Sequence, residues 1–128
     1  MTPKILVVDD AVDTRTLFEQ AFKRDIEDEL FSFIYRYSAE EALEYLDYIA
    51  DSNLLLVMTD INLPGASGLS LLKIIKEKHE KTSVFVFTAY DDSSKRQLAL
   101  DYKAEKYITK PLKFSELRSE IHKILKIT

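Results

Sequence analysis

The residues with the clearest chemical potential lie where apolar, strand-like runs end. They are the carboxylates of Asp9, Asp10 and Asp60, the hydroxyl of Thr88 and the amine of Lys110. The carboxyl ends of parallel strands line the ligand crevice of an open sheet, so these groups are expected to converge in one pocket. Such a pocket would be suited to bind a cation together with an anionic group.

The carboxylates by themselves predict a divalent-cation site. Two adjacent carboxylates facing a third repel one another unless a positive charge lies between them. Mg2+ prefers oxygen ligands and keeps water and phosphate oxygens in its remaining positions. We therefore expect Asp10 and Asp60 to bind Mg2+ directly and Asp9 to act through water. Ca2+ is disfavoured because the sequence lacks a twelve-residue loop of alternating oxygen ligands.

The same pocket predicts phosphoryl transfer to a carboxylate. Asp60 would keep an oxygen that can attack phosphorus, and carboxylates are established covalent nucleophiles. Charge on the phosphoryl oxygens would be met by the metal, the Lys110 amine, the Thr88 hydroxyl and backbone N–H groups near Ala89. Each residue alone has an ordinary structural role, such as helix capping or turn formation. Only their joint placement at strand ends favours a site.

The elements that would position these groups form a repeated strand and helix pattern. Such alternation predicts an α/β domain with a five-stranded parallel sheet covered by helices on both faces. Apolar spacings of three and four predict five helices, the first burying Leu17 and Ala21 together with Phe18 and Phe22. The five predicted strands cover residues 4–9, 31–37, 54–59, 83–88 and 106–109.

Length and composition bound the remaining possibilities. With 128 residues, 46% apolar content and no linker-like stretch, the sequence predicts a single domain over residues 1–128 with no output domain. No cysteine, leader or long apolar segment is present, which favours the cytoplasm over secretion or a membrane. A formal net charge of -4 disfavours nucleic acid as a partner and favours proteins.

Taken together, these motifs resemble the receiver domain of two-component response regulators over essentially the whole chain. The resemblance is to the stand-alone, chemotaxis-regulator-like form. It implies a doubly wound, flavodoxin-like sheet with strand order 2-1-3-4-5. The matching segments are residues 5–10, 59–65 with Gly68, 87–90 and 107–111.

The resemblance implies a signalling switch that is phosphorylated on Asp60. The donor would be a phosphohistidine of a sensor histidine kinase or of a histidine phosphotransfer protein. Asp9 and Asp10 would hold Mg2+, with the backbone carbonyl of Asn62 completing the protein ligands. Lys110 would contact the phosphoryl group.

The resemblance also implies how the signal would leave the site. A cis peptide before Pro111 would shape the Lys110 loop. Thr88 would move toward the phosphate and Tyr107 would turn inward behind it. The face formed by the fourth helix, the fifth strand and the fifth helix would then regulate a protein partner, with a homodimer as another use of that face.

Two other functions compete with this interpretation. The chain could be a degenerate receiver that binds partners without phosphorylation, but the five polar site residues are all retained. It could be a phosphohydrolase of the haloacid dehalogenase type, but that family needs a second Asp two positions after its nucleophile. Val12 stands at that spacing after Asp10. The sequence therefore favours a switch that modifies only itself and is not an enzyme in the usual sense.

Overall fold

The computed structural model describes residues 2–49 and 54–126, which form a five-stranded parallel sheet with helices on both faces. Within these residues, no helix is long and apolar enough to cross a membrane. The strands are β1 (Lys4–Val8), β2 (Ser32–Arg36), β3 (Leu54–Asp60), β4 (Ser83–Thr88) and β5 (Lys106–Thr109). The helices are α1 (Asp13–Ala21), α2 (Lys23–Glu27), α3 (Ala39–Tyr48), α4 (Gly68–Lys78), α5 (Ser93–Asp101) and α6 (Phe114–Leu125).

The sheet has the strand order β2-β1-β3-β4-β5, which confirms the expected topology. The register brings the carboxyl ends of neighbouring strands level. Val8 pairs with Thr59, and Thr88 pairs with Thr109. The residues that follow β1, β3, β4 and β5 therefore meet at one edge, as the sequence predicts.

The prediction of five helices is wrong, because the first helical segment is divided into α1 and α2. Phe22 lies between them with backbone angles of φ -111° and ψ 20°, outside the helical region. The centre of its ring lies 5.3 Å from that of Phe33 and 5.9 Å from that of Phe31. The segment therefore bends where these ring contacts hold it against β2. The fourth and fifth predicted helices are consequently α5 and α6.

The predicted core face of α1 is only half correct. Phe18 and Phe22 are buried, whereas Leu17 is 51% exposed and Ala21 is also exposed. Successive helical residues lie about 100° apart around the helix axis. Burial of the Phe18 and Phe22 rings therefore leaves the adjacent positions, Leu17 and Ala21, on the solvent side.

Alternation along the strands divides the core into two layers. Leu6 and Val8 face the first core layer, under α3, α4 and α5, whereas Ile5 and Val7 face the second core layer, under α1, α2 and α6. The period of two in a strand causes this division, and parallel strands buried on both faces are accordingly apolar throughout. The sheet is thus a rigid platform for the loops at its carboxyl edge.

An ion pair between the buried Asp25 and the half-exposed Arg118 joins α2 to α6 beside the core layer under α1, α2 and α6. Asp25 is 2% exposed, and Arg118 donates to both of its carboxylate oxygens, from Nε at 2.7 Å and from Nη2 at 2.9 Å. His122 Nε2 lies 3.3 Å from the same carboxylate. The hydrogen bonds from Arg118 outweigh burial and hold the pKa of Asp25 below its usual value.

Acidification is expected to remove the contribution of Asp25 to stability. Because the folded pKa of Asp25 is lowered, the unfolded chain binds more protons than the folded chain between that value and about pH 3.8. The free energy of unfolding therefore decreases as the pH is lowered through this range. Urea unfolding from pH 7 to pH 3 should show that the wild type loses more stability than Asp25→Asn. Parallel pH curves for the two proteins would contradict this assignment.

Candidate functional site

Two buried carboxylates and one lysine form the centre of the site. Asp9 directly follows β1 and Asp60 ends β3, and their exposed fractions are 3% and 5%. Lys110, which follows β5, places Nζ 3.2 Å from Asp9 Oδ2 and 2.7 Å from Asp60 Oδ2. Three residues that are distant in the sequence therefore meet at the sheet edge.

Two backbone amides and one hydroxyl fix the two carboxylates. The amide of Ala11 donates to Asp9 Oδ1 at 3.0 Å, and the hydroxyl of Thr14 donates to Asp9 Oδ2 at 2.9 Å. The amide of Asn62 donates to Asp60 Oδ1 at 2.9 Å. Asp60 is thus held with one oxygen toward a backbone N–H and the other toward an ammonium group.

The Lys110 amine stays charged in this environment. Burial opposes its charge, but the hydrogen bond and charge of Asp60, with further contributions from Asp9, outweigh burial and raise the pKa of Lys110. A permanent cation beside Asp60 is suited to stabilise added negative charge at that carboxylate.

Thr88 supplies a buried hydroxyl at the end of β4. Its exposed fraction is 1%, and its Oγ1 donates to the Tyr90 carbonyl at 3.1 Å and accepts from the Tyr90 amide at 3.2 Å. The Asn62 side-chain amide lies 3.5 Å from the same oxygen. Ala89, the next residue, is exposed at the rim. The hydroxyl is therefore engaged with its own loop in this conformation.

Asp10 lies outside the central cluster. It is exposed, and across residues 2–49 and 54–126 no group of three or more His, Cys, Asp or Glu side chains is arranged to hold a metal ion. Asp9 turns toward Lys110, whereas Asp10 lies in the bend that follows β1 and faces solvent. The role of Asp10 as a direct Mg2+ ligand stays a prediction.

The charges at the centre nevertheless fit a small, hard cation. Asp9 and Asp60 bring two buried negative charges, against one positive charge from Lys110. Uncompensated buried charge is unfavourable, and a divalent ion with oxygen ligands would balance it. Carboxylates and a backbone carbonyl such as that of Asn62 are the donors that Mg2+ prefers.

The two other residues singled out by the resemblance flank this centre. The peptide between Lys110 and Pro111 is cis, as the resemblance implies. Tyr107 lies on β5 with its ring packed against the first core layer and its hydroxyl buried. Tyr107 is therefore turned inward in this structure.

Sequence reasoning missed Thr14 as a partner of Asp9. The signal available was a hydroxyl residue near the start of the first helix, which is common at helix N-termini without any functional role. Only the fold shows that the Thr14 hydroxyl contacts the Asp9 carboxylate beside Lys110.

Gly68 has a steric role at the site. Its amide donates to the Ile61 carbonyl at 2.9 Å, which brings α4 against the end of β3. A Cβ at this position would overlap the Asp60 carbonyl oxygen and lie 2.8 Å from both the Asp60 carbonyl carbon and Ile61 Cα. The β3 end and α4 can meet this closely only because residue 68 has no side chain.

Gly68→Ala is expected to destabilise the fold by about 3 kcal/mol, because overpacking against backbone leaves little room to relax. Gly65→Ala is the matched control. A Cβ there meets only the flexible Glu40 side chain, at 3.0 Å, and the φ of +74° should cost about 1 kcal/mol. Urea unfolding of both variants tests this difference, and equal losses would contradict it.

Comparison with known proteins agrees with the geometry. The response regulator receiver domain model matches residues 5–122. The chain is 35% identical to the regulatory protein VanR of Enterococcus faecium over 121 residues, which cover 94% of this chain and 49% of VanR. It is 29% identical over 125 residues to sporulation initiation phosphotransferase F of Bacillus subtilis strain 168, covering 98% of this chain and 95% of that protein.

The fold has solved counterparts as well. A CheY-like response regulator receiver domain protein from Methanospirillum hungatei JF-1 has 26% identity and a TM-score of 0.81, covering 98% of this chain and 95% of that one. The chain thus spans about half the length of VanR and nearly the whole of the other two proteins. With the family model matched from residue 5 to residue 122, this chain belongs to the response regulator receiver domain family of two-component systems.

Proposed function

We propose that this chain is a phosphorylation-dependent switch that accepts a phosphoryl group on Asp60. The observation that carries the proposal is the buried Asp60 carboxylate, held between the Asn62 amide and the Lys110 ammonium at the carboxyl edge of the sheet. Receiver domains are signalling switches and are generally not classical enzymes. The donor is a phosphohistidine of a sensor histidine kinase or of a histidine phosphotransfer protein.

The transfer exchanges one bond to phosphorus for another. An Asp60 carboxylate oxygen attacks the phosphorus as the P–N bond to the donor histidine breaks, and the bonding electrons return to the imidazole nitrogen. Lys110, already 2.7 Å from Asp60, donates to the phosphoryl oxygens as their charge develops. A backbone N–H near Ala89 and the Thr88 hydroxyl are the remaining donors.

Asp9, Asp10 and Asp60 would hold Mg2+ with the backbone carbonyl of Asn62. When bound, Mg2+ supplies positive charge to the phosphoryl oxygens and to the carboxylates. Asp9 orients Lys110 through the 3.2 Å contact between its carboxylate and Nζ.

Phosphorylation would act through Thr88 and Tyr107. A phosphoryl dianion on Asp60 offers the Thr88 hydroxyl a stronger acceptor than the Tyr90 carbonyl that it now contacts. Movement of Thr88 toward the phosphate opens space beside Tyr107, which is already turned inward here and packs farther into that space. The face formed by α5, β5 and α6 then changes its affinity for a protein partner or a second copy. The shift is limited by how differently the two conformations bind the phosphate.

The test is intact mass spectrometry of the wild-type protein after incubation with acetyl phosphate and Mg2+. We expect an adduct of about 80 Da that is absent with EDTA and is removed by hydroxylamine, as for an acyl phosphate. Acetyl phosphate is the small donor, and a phosphorylated histidine kinase domain is the protein donor. Absence of the adduct with both donors would reject the proposal in favour of a phosphorylation-independent interaction module.

The cytoplasmic location and the single-domain boundary at 1–128 stay predictions.

A further inference from the structure

Arg96 connects Tyr107 to the loop that follows Thr88. The Arg96 guanidinium carbon lies 4.5 Å from the centre of the Tyr107 ring. Its Nη2 also donates to Asp91 Oδ1 at 3.0 Å. Arg96 belongs to α5 and Asp91 to the loop between β4 and α5, so one side chain contacts both the tyrosine and that loop.

The inward orientation of Tyr107 has an unfavourable component. Its hydroxyl is buried, and within the described residues it has no hydrogen-bond partner. A buried hydroxyl without a partner loses the hydrogen bonds that it makes to water. A cation over the face of an aromatic ring is attracted by the ring quadrupole, and this attraction opposes that loss. The balance between inward and outward Tyr107 therefore depends on Arg96.

The same loop leads directly to the site. Tyr107 pairs with Val86, and the period of two places Thr88 on the same face of the sheet, two residues farther along β4. The Thr88 hydroxyl is bonded to the backbone of Tyr90, which precedes Asp91. A change in the Thr88 hydrogen bonds would thus alter the backbone at Tyr90 and its neighbour Asp91, and Asp91 accepts a hydrogen bond from Arg96.

We infer that Arg96 is a positioning residue that holds Tyr107 inward and links its orientation to the loop carrying Thr88. The link to phosphate rests on the proposed function, whereas the hold on Tyr107 in the resting protein does not. The guanidinium forms an ion pair with Asp91 of the loop, and it packs over the Tyr107 ring of β5.

The first measurement is fluorine NMR of the whole chain labelled with 3-fluorotyrosine. The chain has seven tyrosines, and Tyr107→Phe identifies the resonance of Tyr107. Without phosphate donor, Arg96→Met should lower the inward-to-outward ratio of Tyr107 by about two- to fivefold. This factor corresponds to the loss of a ring contact of about 0.5 to 1 kcal/mol. Arg96→Lys should retain part of the contact. Lys95→Met, one residue away on α5, should leave the resonance in place.

The second measurement repeats the spectra with acetyl phosphate and Mg2+. Asp91→Asn should keep the resting Tyr107 resonance closer to wild type than Arg96→Met does, yet reduce its shift on phosphorylation. An inward-to-outward ratio of Tyr107 that is unchanged in Arg96→Met would overturn the inference, as would an equal change of that ratio in Lys95→Met. If the wild type forms no phosphate adduct, the proposed function fails, and the resting spectra of Arg96→Met still decide whether Arg96 holds Tyr107.

Discussion

Asp60→Asn should abolish the phosphate adduct. The substitution keeps the size and planarity of the side chain, and its oxygen can still accept from the Asn62 amide. It removes the negative charge and the nucleophilic carboxylate oxygen that the transfer requires. Intact mass after incubation with acetyl phosphate and Mg2+ should therefore show unmodified protein only, at times when the wild type carries an adduct of about 80 Da.

The matched control for this experiment is Asp47→Asn. Asp47 is an exposed aspartate on α3, so the same chemical change there tests for effects of net charge alone. We expect Asp47→Asn to form the adduct at the wild-type rate. An adduct that persists in Asp60→Asn would mean that another residue is the acceptor, and His79 or His122 would then be examined through the acid lability of a phosphohistidine.

Lys110→Met should slow phosphorylation by about a hundredfold, which is the usual effect of removing one donor to developing charge. Lys110 is the only ammonium group that contacts both Asp9 and Asp60 among the described residues. Without it, the phosphoryl oxygens lose a charged hydrogen-bond donor while the nucleophile stays in place. The measurement is the rate of adduct formation at saturating Mg2+ and a fixed concentration of acetyl phosphate.

Mg2+ binding separates this role of Lys110 from a general loss of structure. Removal of the ammonium leaves Asp9 and Asp60 without an ion-pair partner among the described residues, so calorimetric titration should give Mg2+ affinity equal to or tighter than wild type. Lys81→Met, at an exposed lysine outside the site, should change neither quantity. Weaker Mg2+ binding together with slower phosphorylation would indicate that Lys110 organises the loops and does not act on the phosphoryl group.

Much of the fold could be predicted because local signals agree with the tertiary arrangement. The capping pattern at Ser38 and Glu41 marks the start of α3, where the Ser38 hydroxyl accepts from the Glu41 amide at 3.1 Å. The apolar run at residues 84–87 forms the core of β4, and its side chains alternate between the two core layers. Such signals involve neighbouring residues, so they can be read without the rest of the chain.

The division at Phe22 could not be predicted in this way. The segment has a continuous helical pattern, and its bend depends on rings from β2 and α6 that are distant in the sequence. Asp25 and Arg118 are similar, since a carboxylate in a short helix gives no local sign of a partner ninety-three residues away. Tertiary packing outweighs local preference at both places.

The sequence by itself determined which residues stand at the ends of the strands, and thus that Asp9, Asp60, Thr88 and Lys110 share one edge. The periodicity of apolar residues carries this information, because it specifies each strand and its direction. The tertiary structure alone decided that Lys110 bridges Asp9 and Asp60, that Asp10 faces solvent and that Arg96 covers Tyr107. These contacts join side chains from different elements, and their geometry depends on strand register and helix packing, which no local pattern specifies.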